Sequence, residues 1–354
     1  MLITPLAVSF LVALAVTPLV IKYARTLGVM DDPQKRPHPA TLHRQPVARG
    51  GGIPIFLAVL AGMVIFLPWD LKLVGIASGA LVTLIVGLAD DRRDIPPIAR
   101  LFANFLAALL VVYAGITIPF VTNPLGGIIH LANPDLTLRL GETEIVVGWL
   151  AIIATIIWIM AITNIVSWSS GVDGQLAGFV PIAAATIGAL SLRFGNDFTQ
   201  WPVIILSLAV AGSFLGFLFW SVYPQKIMPG YSGGALAGYF LAVLAIISGA
   251  KLATAIIVLG IPIMDAIFSI LRRLVHKRSP FWGDAGHLHH RLLAIGWSKK
   301  KVAAFYWLVA AVLGMLAIHL NSQAKLYTII MLVVGVGGLL LWLTKLSRLF
   351  EPPE

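Results

Sequence analysis

Eleven apolar stretches of about 16 to 24 residues run through this chain, and each is near the length that a helix needs to cross a hydrocarbon core of about 30 Å. Apolar residues make up 59% of the chain and charged residues only 11%, against roughly a quarter in soluble domains. This composition excludes a water-soluble enzyme, and the absence of cysteine excludes disulfides and thiolate chemistry. The pattern predicts an all-α polytopic membrane protein that forms one integral membrane domain over residues 1–354.

The predicted spans alternate with connections of very different charge. The spans are 2–21, 52–69, 73–89, 101–120, 146–163, 177–193, 202–221, 234–250, 252–271, 302–321 and 326–344. Twenty of the 25 basic residues follow odd-numbered spans, and the other five are Lys72, Arg139, Arg193, Lys251 and Lys325. Because basic residues favour the cytoplasmic side of a membrane, the chain is predicted to begin outside and to end in the cytoplasm.

One connection on the predicted outer side is longer than a turn requires. Residues 123–147 contain alternating runs around Asn133-Pro134 and Gly141-Glu142, a pattern typical of paired strands. We therefore predict a small extracytoplasmic β-hairpin with a structural role.

Five polar segments, each after an odd-numbered span, are predicted to share the cytoplasmic face. We call them the first to fifth segments, and they cover residues 22–51, 90–100, 164–176, 222–233 and 272–301. Connecting loops need turn residues, but they do not need acids and histidines concentrated on one membrane face. We therefore expect these segments to form one functional site.

The first segment combines histidines, basic residues and glycines. His43 and Arg49 precede three glycines, and such a loop can grip a phosphate or a lipid headgroup through side chains and backbone N–H groups. The alternative is a basic anchor at the membrane surface, followed by a flexible turn.

The second segment begins with two adjacent carboxylates at the end of an apolar span. Asp90 and Asp91 repel each other unless a cation lies beside them, so the pair indicates a Mg²⁺ site or a proton acceptor. An interfacial salt-bridge cluster with Arg92 and Arg93 is the structural alternative.

The third and fourth segments carry weaker signals. Asn164 and Asp173 lie among serines and glycines, which suits either a metal or nucleotide site or a polar turn before a helix. The glycine-rich turn of the fourth segment opens a helix, so it is either an anion cradle or a place of close helix packing.

The fifth segment carries the most specific pattern, with His287, His289, His290 and Arg291 in five positions, shortly after Asp284. Zinc is disfavoured, because His287 and His289 do not share one helix face and no cysteine completes the set. Imidazole and guanidinium groups bind diphosphates through charge-assisted hydrogen bonds, so we predict phosphate binding here. The alternative is a group of interfacial histidines on a solvated loop.

Over nearly its whole length the chain resembles the polyprenyl-phosphate N-acetylhexosamine-1-phosphate transferases, and their GlcNAc branch above all. The residues that carry the resemblance are Asp31-Asp32-Pro33 with His43, Arg49, Gly50 and Gly51, then Asp90-Asp91 with Asp94, and then the SPF run, Asp284 and the HLHH run.

The resemblance implies transfer of a sugar 1-phosphate from a UDP-sugar to polyprenyl phosphate, with release of UMP, for cell-envelope glycan synthesis. It implies that Asp90 and Asp91 serve as base or metal ligands, that Asp173 holds nucleotide or metal, and that the three histidines and Arg291 contact the diphosphate. Mg²⁺, or Mn²⁺ in its place, is the implied cofactor. A homodimer in the inner membrane, with its site facing the cytoplasm, is also implied.

Four positions depart from the family pattern. Ser167 and Ser221 stand where the family has Asn, and Ser170 and Tyr231 stand where it has Asp. Tyr231 matters most, because a phenol, whose pKa is ordinarily about 10, is a poor Mg²⁺ ligand at neutral pH. Three alternatives stay open: an enzyme with a rearranged metal site held by Asp90, Asp91 and Asp173, a transferase of a different head group, and a catalytically degenerate paralogue that binds the lipid.

A lipid transporter is the alternative from another class. Asp265 lies within a predicted span close to Pro262, and a charge beside a broken helix is typical of transport proteins. The structural alternative pairs Asp265 with Arg272 or Arg273 near the cytoplasmic end of the span.

Overall fold

The protein is a bundle of membrane helices with short two-stranded sheets. The computed structural model describes residues 3–34, 42–43, 45–123, 126–132, 135–140, 143–194, 196–249, 251–279 and 286–350. The helices in these ranges are α1 (Ile3–Tyr23), α2 (Gly52–Phe66), α3 (Leu71–Arg93), α4 (Pro97–Tyr113), α5 (Trp149–Trp168), α6 (Gln175–Leu192), α7 (Trp201–Ser221), α8 (Gly230–Ile247), α9 (Leu252–Val258), α10 (Gly260–Val275), α11 (Leu288–Ala294), α12 (Lys299–His319) and α13 (Ser322–Phe350). The strands are β1 (Met30–Asp31), β2 (Val47–Ala48), β3 (Phe120–Thr122), β4 (Ile128–His130), β5 (Asp135–Leu140) and β6 (Thr143–Gly148).

The predicted class, an all-α polytopic membrane protein, is confirmed. Within the described ranges, eight helices are long and apolar enough to cross a membrane, and α9 and α10 together form a ninth candidate that is bent by 80°. The shorter apolar helices α2 and α4 lie at the two remaining predicted spans. Each predicted span therefore corresponds to one helix or to the bent pair.

The predicted hairpin is confirmed, but the span ends beside it need correction. Strands β5 and β6 pair antiparallel, and within the described residues a second antiparallel hairpin, β3 with β4, precedes them. The predicted span 101–120 ran past the end of α4 into β3, and the predicted span 146–163 began inside β6. Apolar strand residues extend a hydropathy window as well as helical ones do, so hydropathy alone placed these ends wrongly.

Helix α8 lies at the centre of the bundle, with 83% of its 18 residues buried. Small residues allow the other helices to approach it closely. A Cβ atom on Gly238, for example, would lie 2.5 Å from the Cα atom of Thr163 on α5. This packing brings the first turn of α8 beside the last turns of α3 and α5, where the polar segments begin.

Candidate functional site

A cavity of about 490 Å³ opens at the end of the bundle where α3 and α5 finish and α8 starts. Its volume is in the range of ordinary ligand pockets. The lining residues are Asp31, Leu42, His43, Arg49, Asp90, Asp94, Pro97, Arg100, Leu101, Asn164, Ser167, Trp168, Ser170, Gly171, Gln225, Met228, Pro229, Gly230 and Tyr231. The structure thus brings the first four segments to one cavity.

Asp90 presents a carboxylate to this cavity from the last turn of α3. Its Oδ1 atom accepts a hydrogen bond of 3.2 Å from the backbone N–H of Ile95 and lies 3.5 Å from Nη1 of Arg100. Its Oδ2 atom has no hydrogen-bond or ion-pair partner among the described residues. Asp90 therefore has one oxygen available to a ligand, a proton or a metal ion.

Asp91 is fully buried and faces away from the cavity toward α8. Its carboxylate accepts hydrogen bonds from the backbone N–H of Tyr231 at 2.7 Å and from the hydroxyl of Ser232 at 2.5 Å. Nε of Arg49 lies 3.4 Å from Oδ1. These contacts hold the start of α8 in place, and the predicted role of Asp91 as a base or metal ligand stays a prediction.

The glycines near Asp91 serve close packing, which was the alternative to a phosphate cradle. Gly230 has a φ angle of +65°, and a side chain there would collide with the Asp91 carboxylate. The backbone N–H of Gly52 donates to Ser232 at 3.2 Å, and a Cβ atom on Gly51 would lie 2.6 Å from Cζ of Phe217. The first N–H groups of α8 are thus occupied by the protein's own carboxylate.

Arg49 supplies a positive charge to the cavity lining, and His43 supplies an imidazole ring. Strands β1 and β2 pair and fold the first segment back, which places His43 Nε2 3.7 Å from Asp31 Oδ2. Arg49 Nη1 lies 3.6 Å from Asp94 Oδ1. Burial acts to lower the pKa of Arg49, but the carboxylates of Asp91, Asp31 and Asp94 raise it above its ordinary value. Arg49 is therefore a permanent cation at the cavity.

Arg100 and Asn104 contact Tyr231 from α4, and neither was singled out from the sequence. The guanidinium of Arg100 lies 5.2 Å from the centre of the Tyr231 ring, within the distance of a cation–π contact. The Asn104 amide donates to the Tyr231 hydroxyl at 3.2 Å. The sequence did offer a sign of this pair: Arg100 and Asn104 are polar residues four positions apart near the start of an otherwise apolar helix, and such positions share one helix face.

Some residues of the third segment line the cavity, and others contact the neighbouring segments. Asn164, Ser167 and Ser170 line the cavity. Asp173 is not among the lining residues. Its Oδ1 atom lies 3.0 Å from Nζ of Lys299, and its Oδ2 atom accepts a hydrogen bond from the backbone N–H of Gln225 at 3.2 Å. Asp173 thus joins the third, fourth and fifth segments, while its predicted contact with nucleotide or metal stays a prediction.

His287 and Asp265 form a buried pair behind the cavity. His287 Nδ1 lies 3.0 Å from Asp265 Oδ2, and the backbone N–H of Leu288 donates to Asp265 Oδ1 at 2.8 Å. His287 Nε2 lies 3.4 Å from Nη2 of Arg273. The expected partner of Asp265 was Arg272 or Arg273, but it is His287. The pairing with His287 accounts for the buried carboxylate of Asp265 as a structural feature, so this carboxylate is no argument for a transporter.

The remaining predicted phosphate ligands differ in their surroundings. His289 stacks on His287 with ring centres 5.8 Å apart, and it packs so closely on Gly171 that no side chain fits there. Burial, with the nearby His290 and His287, lowers the pKa of His289 well below its ordinary value. His290 is partly exposed, with its ring centre 4.3 Å from that of His289.

Arg291 fastens α11 to α13. Its guanidinium donates to the carbonyls of Gly286 at 2.9 Å and Leu340 at 3.1 Å, and to the Thr344 hydroxyl. These contacts give Arg291 a structural role, and its predicted contact with a diphosphate stays a prediction. Asp284 and the Pro-Phe of the SPF run, at 280–281, lie outside the described residues.

A Mg²⁺ ion fits this cavity only in part. Across the part of the chain that the structure describes, no three acidic or histidine side chains are grouped to hold a metal ion. Asp91 and Asp173 have their oxygens engaged, but Oδ2 of Asp90 is available. Mg²⁺ in proteins is often held by one or two carboxylates, substrate phosphates and waters, so Asp90 is the residue that would hold it, and the predicted Mg²⁺ stays a prediction.

Comparison with known proteins places this geometry in context. The model of glycosyl transferase family 4 matches residues 73–249. A probable undecaprenyl-phosphate N-acetylglucosaminyl 1-phosphate transferase of Bacillus subtilis is 31% identical over 337 residues, which cover 92% of this chain and 88% of the relative. A decaprenyl-phosphate N-acetylglucosaminephosphotransferase of Mycobacterium leprae is 30% identical, over 77% of this chain and 73% of that protein. A phospho-N-acetylmuramoyl-pentapeptide-transferase of Geobacillus kaustophilus is 25% identical, over 90% and 98%.

Proposed function

This chain belongs to glycosyl transferase family 4, and from that membership we propose that it transfers a hexosamine 1-phosphate from a UDP-sugar to polyprenyl phosphate, with release of UMP. N-acetylglucosamine 1-phosphate is the proposed group, because the relatives from Bacillus subtilis and Mycobacterium leprae are named for N-acetylglucosamine. The proposed location is the cytoplasmic membrane, with the cavity facing the cytoplasm and the product used for cell-envelope glycans.

The observation that carries the proposal is an available carboxylate oxygen of Asp90 in a cavity that also holds Arg49, Arg100 and His43. An oxygen of the lipid phosphate attacks the β-phosphorus of the UDP-sugar and forms a new P–O bond. The bond from that phosphorus to the bridging oxygen breaks, and its electron pair leaves with UMP. Oδ2 of Asp90 accepts the proton of the lipid phosphate as the attack occurs.

The other cavity residues position and neutralise the two phosphorylated substrates. Arg49 and Arg100 are fixed by carboxylates, so they keep their geometry before a substrate arrives. Asn164 and Ser170 line the same cavity and offer polar groups to the nucleotide sugar. Mg²⁺ held by substrate phosphates and Oδ2 of Asp90 would supply further positive charge to the transferring phosphates, and Asp90 would then act as a metal ligand in place of a proton acceptor.

The direct test is UMP release by the full chain in detergent, with UDP-N-acetylglucosamine and undecaprenyl phosphate. UMP and lipid diphosphate sugar in equal amounts support the proposal. Release with UDP-N-acetylgalactosamine alone would change the assigned sugar. Binding of undecaprenyl phosphate without turnover of any UDP-sugar would contradict the proposal and support the degenerate paralogue, which the Tyr231 and Ser170 departures favour.

Tyr231→Asp is expected to tighten Mg²⁺ or Mn²⁺ binding about tenfold, because it adds a second carboxylate to the wall that holds Asp90. Titration with Mn²⁺, followed by electron paramagnetic resonance of the free ion, measures the change. Tyr231→Asn is the matched control, since it has the same shape without the charge. Coincident titrations of the Asp variant and the parent would show that position 231 is not beside the metal.

A further inference from the structure

A second cavity, of about 480 Å³, lies at the other end of α3 and α8. The 18 residues of α8 place it about 25 Å from the candidate site at 1.5 Å per residue. Leu73, Leu206 and Ile246 form apolar walls, and Gln200 is one of the polar residues that line it. A cavity of this kind, apolar inside and polar at its edge, suits one chain of an amphiphile.

Three cations lie close to one another near this second cavity, whose own lining carries the opposite charges of Lys72 and Asp70. Nζ of Lys251 lies 3.5 Å from Oε1 of Gln200, a residue of the cavity lining. Nζ of Lys325 donates at 2.8 Å to Thr254, and Arg193 donates to the carbonyl of Ile318. These three are among only five basic residues assigned to this side, and none forms an ion pair with a described carboxylate.

The cluster keeps a net positive charge, because Asp197 is the one carboxylate that acts on its three cations among the described residues. Burial lowers the pKa of Lys251 to about 8, and the neighbouring charge of Lys325 adds to this effect. The exposed carboxylate of Asp197 acts in the opposite direction, but its own hydrogen bonds go to Thr199. An anion placed among these cations would relieve their mutual repulsion.

The surroundings indicate a lipid as the source of that anion. Lys251 lies 4.5 Å from the centre of the Phe194 ring, which is 52% exposed. Leu192 and Phe198, close to Phe194 in the sequence, are also exposed at the ends of two candidate membrane spans. A free phosphate would use only the cations, whereas a phospholipid would use the apolar cavity as well.

We propose that this end of the bundle binds one anionic phospholipid, with its phosphate at Lys251 and one acyl chain in the second cavity. The site lies in the leaflet opposite the candidate catalytic cavity, and it does not depend on the proposed transferase activity. Phosphatidylglycerol is the probe, because its headgroup carries one negative charge beside an uncharged glycerol.

The test measures lipid binding to the full chain in detergent by native mass spectrometry. The parent is expected to bind phosphatidylglycerol at least tenfold more tightly than phosphatidylcholine, and Lys251→Gln to weaken that binding about fivefold. Lys22→Gln, an exposed cation at the other end of the bundle, is the matched control and should match the parent. Lys251→Arg, which keeps the charge, should bind phosphatidylglycerol as the parent does. UMP release should be unchanged in the Lys251→Gln, Lys22→Gln and Lys251→Arg variants.

A second variant addresses the acyl chain. Ile247→Trp narrows the cavity and should weaken phosphatidylglycerol binding without removing a charge. Equal binding of both lipids by the parent, or equal loss in the Lys251→Gln and Lys22→Gln variants, would overturn the proposal. Displacement of the lipid by inorganic phosphate or glycerol 3-phosphate at equal concentration would overturn the lipid assignment and leave a free-anion site.

Discussion

Asp90→Asn is expected to lower the rate of UMP release by about a thousandfold or more, while the midpoint of thermal unfolding changes by less than about 2 °C. The loss follows from the removal of a proton acceptor, which typically contributes a factor of 10² to 10⁴. The amide keeps the shape of the side chain and its contact with the backbone of Ile95, and the lost ion pair is with Arg100, whose side chain is partly exposed, so little stability is lost. Initial rates at saturating UDP-sugar and lipid, with unfolding followed by tryptophan fluorescence, provide both measurements.

Asp94→Asn is the matched control for this experiment. Asp94 lies one turn away on the same cavity, but its side chain is 62% exposed and it reaches Arg49 only at 3.6 Å. We expect its turnover to stay within a few-fold of the parent, because exposed ion pairs contribute little. If Asp90→Asn kept the rate of the parent, Asp90 would be neither the proton acceptor nor a necessary metal ligand.

The fold follows closely from local properties of the sequence. The length of an apolar stretch can be read from neighbouring residues alone, and each span predicted in this way corresponds to a helix or to the bent pair of α9 and α10. The errors occur at residues 120 and 146, where apolar strand residues adjoin a helix. Hydropathy does not distinguish these strands, because pairing across a hairpin depends on residues that a short window does not compare.

The site was only partly predictable, because side-chain direction decides the roles of neighbouring residues. Asp90 and Asp91 are adjacent in sequence, but successive residues of a helix point about 100° apart. One therefore lines the cavity, while the other is buried against α8. The sequence gives no sign of which is which, since the direction depends on how α3 packs.

The fifth segment shows the same limit over longer distances. His287 is held by Asp265, 22 residues earlier, and Arg291 contacts Leu340, 49 residues later. A histidine or an arginine looks the same in the sequence whether its side chain binds a substrate phosphate or a neighbouring helix. Only the packing of α10 and α13 around α11 distinguishes the two uses.

Asp91→Asn is expected to destabilise the protein by about 3 kcal/mol, which lowers the midpoint of thermal unfolding by about 5 °C or more. The reason is that Asp91 is the buried partner of Arg49 and accepts hydrogen bonds from the first turn of α8. An amide weakens the ion pair and turns a donor toward the N–H groups of Tyr231 and Ser232. Turnover should fall as well, because Tyr231 moves with the start of α8.

A double-mutant cycle with Arg49→Gln separates this role from a catalytic one. If Asp91 acts by holding Arg49 and α8, the two substitutions together should destabilise the protein by clearly less than the sum of their separate effects. Asp90→Asn, the same chemical change one residue earlier, should retain the stability of the parent and lose turnover. The opposite pattern, with a stable and inactive Asp91→Asn variant, would return Asp91 to the reacting groups, as the sequence first suggested.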